Sequence, residues 1–101
     1  MRELSSGDRK YLRSLAHHLE PIVFIGKNGI TDQLVESADK ALAAHELIKI
    51  RFVDHKDEKR ALVDELATRT HSAVAGIIGH VAMLYREHAE QEKRRIRFTE
   101  E

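Results

Sequence analysis

Pro21-Ile22-Val23-Phe24-Ile25-Gly26-Lys27-Asn28-Gly29-Ile30-Thr31 reads as a strand, a turn and the opening of a helix, in that order. Proline pushes the residue before it away from helical backbone angles, so an upstream helix must stop by Glu20. The β-branched and aromatic run Ile22 to Ile25, bounded by proline and glycine, has the signature of a short buried strand. Gly26-Lys27-Asn28-Gly29 supplies turn residues, and Thr31 can cap the helix that follows.

Working outward, Ser5 and Ser6 can accept hydrogen bonds from the first amides of an upstream helix. Its apolar face is Tyr11, Leu12, Leu15, Ala16 and Leu19, with Arg9, Lys10, Arg13 and His17 largely opposite. Downstream, Leu34, Ala38, Ala41, Leu42 and His45 line one face of a second helix. Leu47 to Val53 alternates Ile48, Ile50 and Phe52 with Lys49 and Arg51, the period-two pattern of a half-exposed strand with cations on one face. After a polar turn over Asp54 to Asp57, Leu62, Val63, Leu66 and Ala67 mark a third helix that runs to Thr70. Val74 to Ile78 and Val81 to Arg86 are two strands joined by Gly79 and His80, a two-residue connection with glycine first that suits a tight hairpin.

The expected fold is α/β, a two-layer α-β-α-β-α-β-β unit with a mixed four-stranded sheet. Right-handed crossovers place the second and third helices on one face of it. The nearly all-apolar first strand implies that something covers its other face as well. Residues 1–86 form the expected single domain. Residues 87–101 read as a charged, frayed tail whose Ile96 and Phe98 can add one extended contact, and removing the tail is expected to leave the fold intact.

Composition narrows the function. The chain has 101 residues, 17 Lys+Arg against 17 Asp+Glu, 42% hydrophobic residues and no cysteine. That length supports one self-sufficient core, and disulfides and cysteine-held metals are excluded. Charge lies within the first three residues, and no apolar stretch precedes Leu19, against a secretory signal. The greasy region from Ala73 to Tyr85 falls short of the ~20 residues that span a bilayer. A cytoplasmic protein is expected. The overall charge balance conceals segregation: residues 1–30 carry five basic and three acidic side chains, residues 31–72 seven and nine, and Lys93, Arg94, Arg95 and Arg97 crowd the tail.

Familiar catalytic motifs are missing. His45-Glu46 would begin a zinc-protease motif, but position 49 is lysine. His17 and His18 point to different sides of a helix and cannot share an ion. No Gly-x-Ser-x-Gly elbow, phosphate loop or dinucleotide fingerprint is present. A non-catalytic protein without metal or cofactor is therefore expected. His45, at a helix end, reads as a structural residue more than a ligand, and Tyr85 as a packed one.

What remains is Gly26-Lys27-Asn28-Gly29 between a strand and a helix. Glycines permit close approach of another backbone and expose amides, and a helix N-terminus favours anions. A Gly-x-x-Gly loop with a cation inside is also how KH modules clamp a nucleic-acid backbone. Many strand-to-helix turns contain two glycines, so the loop alone leaves connector and clamp both open.

The ordered segments around the loop add to this. Leu15-Ala16-His17 leading to Pro21, Val23 to Thr31, His45-Glu46-Leu47-Ile48-Lys49-Ile50, and Ile78-Gly79 followed by Leu84-Tyr85-Arg86 together resemble the CRM domain family (chloroplast RNA splicing and ribosome maturation), in its stand-alone bacterial YhbY-like form. The resemblance covers roughly Leu12 to Arg86. It implies a fold like the C-terminal domain of translation initiation factor three, with strand order 1-2-4-3 and strand four antiparallel. It also implies binding to RNA, namely rRNA of precursor large ribosomal subunits, in ribosome assembly. Glu20 and His80 stand where the family carries basic residues, which weakens the local positive field. The expected RNA contacts are Gly26, Lys27, Asn28 and Gly29 with Arg9, Lys10 and Arg13, extended across the sheet by Lys49 and Arg51. Lys93, Arg94, Arg95 and Arg97 are the candidate tail contacts. Few aromatics point to recognition of backbone and shape by a monomer. The competing reading is a protein-interaction module that contacts a ribosomal protein or assembly factor through the acidic middle segment.

Overall fold

The Ser5 hydroxyl accepts the Asp8 amide at 3.0 Å while the Asp8 carboxylate accepts the Ser5 amide at 3.1 Å, a reciprocal cap that starts helix α1, Ser6–Ala16. The computed structural model describes residues 3–98. After α1 come β1 (Pro21–Ile25), α2 (Asp32–His45), β2 (Leu47–Phe52), a short 3-10 turn, α3 (Lys59–Thr70), β3 (Ala73–Ile78) and β4 (Val81–Tyr85), then a second 3-10 turn over Gln91–Lys93. Helix α1 ends at Ala16, earlier than Pro21 requires. Leu19, expected on its apolar face, lies beyond it and is exposed. The Thr31 hydroxyl accepts the Leu34 amide at 3.0 Å and caps α2 as expected.

The sheet order is β1-β2-β4-β3, with β1 parallel to β2 and β4 antiparallel to both neighbours. Because side chains alternate along a strand, each strand divides its residues between two faces. On one face Val23, Ile25, Ile48, Ile50, Phe52, Ala82 and Leu84 pack beneath Ala38 and Leu42 of α2 and Val63, Leu66 and Ala67 of α3. Each fully buried aliphatic or aromatic side chain here contributes about 1.5–3 kcal/mol.

On the other face Leu47, Ala75, Met83 and Tyr85 pack beneath Leu12 and Ala16 of α1, with Ile96 and Phe98 from the C-terminal segment against the same cluster. The α/β class, element order and strand order match the expectation, but the two-layer description is too small. A third, partial layer of α1 and the C-terminal segment lies on the second face. It stops short of β1, so the expected cover on that strand is missing among the described residues. Ile22 is 48% exposed and Phe24 52% exposed.

The C-terminal segment is fastened rather than frayed. Glu46 is buried and holds a left-handed φ of 66°. Such an angle is costly for a residue with a Cβ and persists where surroundings over-determine it. Its carboxylate accepts the amides of His88 at 2.7 Å, Arg95 at 2.7 Å and Ile96 at 2.9 Å, and its carbonyl accepts the Arg86 amide at 2.8 Å. The Phe98 ring meets Tyr11 and Tyr85 edge-on, with centroids 5.7 and 5.6 Å apart. Packing therefore continues past residue 86, where the domain was expected to end. Glu46 and the packed Tyr85 serve structure, the role the sequence favoured, whereas His45 is exposed at the end of α2.

Candidate nucleic-acid interface

The Gly26–Gly29 loop closes as a turn, with the Gly29 amide donating to the Gly26 carbonyl at 3.0 Å. Gly29 has φ +68°, a conformation that L side chains rarely adopt, and so needs glycine for its backbone. Gly26 does not. A Cβ built there meets nothing within 4 Å. Lys27 and Asn28 at the tip are exposed.

The segment after β2 braces this loop. The amides of Val53 and Asp54 both donate to the Ile25 carbonyl, at 2.9 and 3.2 Å, so the chain leaving β2 keeps following the end of β1. His55 then turns with φ +56° and places its Nε2 2.8 Å from the Lys27 carbonyl and its Nδ1 3.2 Å from Glu58. Both partners are acceptors, so both ring nitrogens must carry protons to satisfy them. The bond to the Lys27 carbonyl, then that to Glu58, raises the His55 pKa above its ordinary 6.5, with the nearby Asp54 and Glu58 charges adding to the effect against partial burial.

A second group of cations gathers at the same end of the sheet. Lys59 donates from Nζ to the Gly79 carbonyl at 2.5 Å and lies 3.4 Å from His80 Nδ1. Burial, then the positive charges of Lys59, Lys56 and Arg51, lowers the His80 pKa. Lys56 and Lys59 thus put positive charge beside His80, at the position where the resemblance implied a basic residue. Neither lysine nor His55 was singled out from the sequence. The turn after β2 was read as a polar connector, and only the tertiary fold brings it to the glycine loop.

Across the sheet, Arg51 is registered beside Phe24 of β1 and Val81 of β4. Lys49, one pleat further back, donates to the Leu19 carbonyl at 3.0 Å. With Arg13, His17, Ile78, Val81 and Met83 it lines a groove. Arg13 donates to the Ala75 carbonyl at 3.2 Å, and its methylenes lie over Gly76, where a Cβ would fall 2.7 Å from Arg13 Cδ. Arg51, Lys49 and Arg13 thus share one face of the sheet, and exposed Lys27 lies in the loop that follows β1 at the end where Arg51 stands. Lys10 is exposed on α1, while Arg9 turns away to the Leu4 carbonyl at 2.9 Å and shares a groove with Arg60 and Asp64.

The tail cations lie elsewhere. Their anchor, Glu46, precedes β2, whereas the glycine loop sits beyond the far end of β1, a separation of about 20 Å at ~3.3 Å per strand residue. Lys93 pairs with Glu90 at 3.2 Å, Arg94 donates to the His88 carbonyl at 2.8 Å, and Arg95 lines an apolar cavity between α1 and the start of β2; Arg97 is exposed. The start of α2 is also less open to anions than expected. Thr31 already takes one amide there, and Asp32 places a carboxylate in the first turn, 2.6 Å from Arg69. Positive charge at this end therefore resides in lysines rather than in the helix start. Among the described residues no cluster of three or more His, Asp or Glu side chains could hold a metal ion, and no helix is long and apolar enough to cross a membrane.

Known proteins resemble this chain in sequence and in fold. A Pseudomonas aeruginosa protein named as a probable RNA-binding protein is 34% identical over 91 residues, which cover 89% of this chain and 88% of that one. A Haemophilus influenzae protein named as an RNA-binding protein is 36% identical over 87 residues, covering 85% and 88%. The solution structure of a hypothetical Staphylococcus aureus protein suggested to bind RNA superposes with a TM-score of 0.79 at 34% identity, covering 94% of this chain and all of that one. The CRS1 / YhbY (CRM) domain model matches residues 4–86, and the chain belongs to that family.

Proposed function

We propose that this protein is a non-catalytic, monomeric, cytoplasmic RNA-binding protein that engages rRNA in precursor large ribosomal subunits and assists their assembly. The observation that carries this reading is the braced Gly26–Gly29 loop at the end of a cationic surface, Lys27, Arg51, Lys49 and Arg13 with Lys56 and Lys59 beside it. Loop amides and Lys27 hold a phosphate, and the remaining cations guide the backbone across the sheet. The names of the relatives support RNA as the partner.

The protein-interaction reading relied on the acidic middle of the chain. There Asp32 is paired with Arg69, Asp39 with Arg86 at 2.6 Å, and Glu36 with Lys40 at 3.8 Å, so much of that charge is already matched. RNA binding is the better supported function.

Titration of large-subunit rRNA fragments over a range of salt tests it. Each neutralised phosphate releases condensed cations, so a handful of contacts gives a log-log slope of roughly −2 to −4. A slope near zero overturns the electrostatic site. Crosslinking in cells, followed by sequencing of the attached RNA, tests the assignment to precursor large subunits.

A further inference from the structure

The face of the sheet that α1 leaves bare is not polar. Strand register aligns Phe24, Arg51, Val81 and Ile78 as one row across β1, β2, β4 and β3. Phe24 is 52% exposed, Ile78 62% exposed, and Arg51 lies open between Phe24 and Val81. Val53, just past β2, is also exposed. An apolar strip of this kind on a folded surface marks a place where something docks. The row runs along the end of the sheet that carries the glycine loop, and Phe24 lies just ahead of Gly26.

Charge selects the occupant. Arg51 stands within the strip, Lys49 and Arg13 line the groove beside it and Lys27 lies in the adjoining loop, so its ligand is anionic as well as flat and apolar in part. A nucleobase attached to its phosphate meets both demands. An aromatic ring and a guanidinium both stack on the face of any base, and such stacking tolerates all sequences. Bases within a duplex are already stacked and offer no free face, whereas unpaired ones can be splayed out. Resting on the RNA-binding reading above, we infer that Phe24 and Arg51 seat an unpaired base of a single-stranded RNA segment whose phosphate lies in the Gly26–Gly29 loop. Recognition is then directed to loops, bulges or ends of structured RNA, and the low aromatic content of the chain conceals one aromatic placed for stacking.

The test uses the full chain at fixed salt with three probes: a short single-stranded oligoribonucleotide, the same oligomer carrying abasic sites, and a blunt duplex of equal length. The wild type is expected to bind the intact single strand best. Phe24→Ala should bind it about tenfold more weakly and Phe24→Tyr nearly as well as wild type, with the salt slope unchanged because no phosphate contact is lost. The abasic oligomer should weaken wild-type binding at least as much as Phe24→Ala does, and should weaken Phe24→Ala less than it weakens the wild type, because only the Arg51 stack is left to lose. That comparison within the wild type decides the matter even if the alanine variant folds poorly. Equal wild-type affinity for intact and abasic strands, with the salt slope retained, overturns the base seat and keeps RNA binding. Failure to bind any of the three overturns both. Self-association abolished by Phe24→Ala, with no discrimination against abasic RNA, gives the strip to a second copy of the chain and also overturns the inference.

Discussion

His55 Nε2 stands 2.8 Å from the carbonyl oxygen of Lys27, so the tip of the glycine loop is held by a side chain from the far side of β2. Because Glu58 faces the other ring nitrogen, the brace is complete only in the imidazolium form. The folded-state pKa is raised, so the stabilisation is fully present below the ordinary value of 6.5 and is lost as pH rises through the elevated value. Loop order and RNA affinity should therefore decline together over that window. His55→Gln should flatten the decline, as followed by imidazole NMR titration alongside RNA binding. An unchanged pH profile in the variant would remove His55 from the loop's support.

Replacing Lys27 and Asn28 together by Asp keeps both glycines and hence the turn. Exposed polar changes of this kind shift stability by about ±0.5 kcal/mol each or less. RNA affinity should fall by an order of magnitude or more, at ~1.4 kcal/mol per tenfold. Thermal unfolding paired with RNA titration reads both quantities, and wild-type affinity in a normally folded variant rules the loop out as the clamp.

The two glycines of the loop should separate under alanine substitution. Gly29→Ala meets the cost of a left-handed backbone, about 1–2 kcal/mol, and should lower the melting temperature. Gly26→Ala meets open space and should leave stability unchanged or slightly raised. Its effect belongs to function alone: if RNA backbone comes close at Gly26, the added methyl weakens binding in a protein of normal stability. Equal affinity would assign Gly26 to the connection only.

Removing residues 87–101 should destabilise the protein by at least about 2 kcal/mol, because a hydrogen bond to a charged group is worth roughly 1.5–3 kcal/mol and the Glu46 carboxylate would lose its three amide partners. Loss of Phe98 from Tyr11 and Tyr85 adds to this. Denaturant unfolding of the shortened chain measures the change. A midpoint equal to wild type would show the segment to be dispensable, as its sequence suggested.

The elements and strand order were legible because the local signals agree with the global fold. Pro21, the Ile22–Ile25 run, Thr31 and Gly79 each punctuate where the chain turns, and Lys49 and Arg51 alternate with buried isoleucines as a one-sided strand must. Three features were not legible, each for a physical reason. The fastening of the C-terminal segment rests on backbone amides held by Glu46, which carry no sequence signature, although its Ile96 and Phe98 make the extended contact that their spacing allowed. The half-bare face of β1 looks buried in sequence, since an apolar run does not tell whether both sides are covered. The cations Lys56 and Lys59 gather around His80 through the tertiary fold alone, while Arg9, which shares a helix with Arg13, is turned to another side.

The cluster around Tyr85 draws Leu12 and Leu15 from the beginning of the chain and Ile96 and Phe98 from its end, whereas the cluster beneath α2 and α3 is assembled from Val23 to Leu84. Closing the longer loop carries the larger entropy cost and needs the last residues in hand. During synthesis, which delivers the N-terminal part first, the α2–α3 side has all its residues once Leu84 is made, whereas the Tyr85 cluster still lacks Ile96 and Phe98. The nascent sheet is therefore expected to have one face complete while the other, covered over Met83 and Tyr85 by α1 alone, gains Ile96 and Phe98 later.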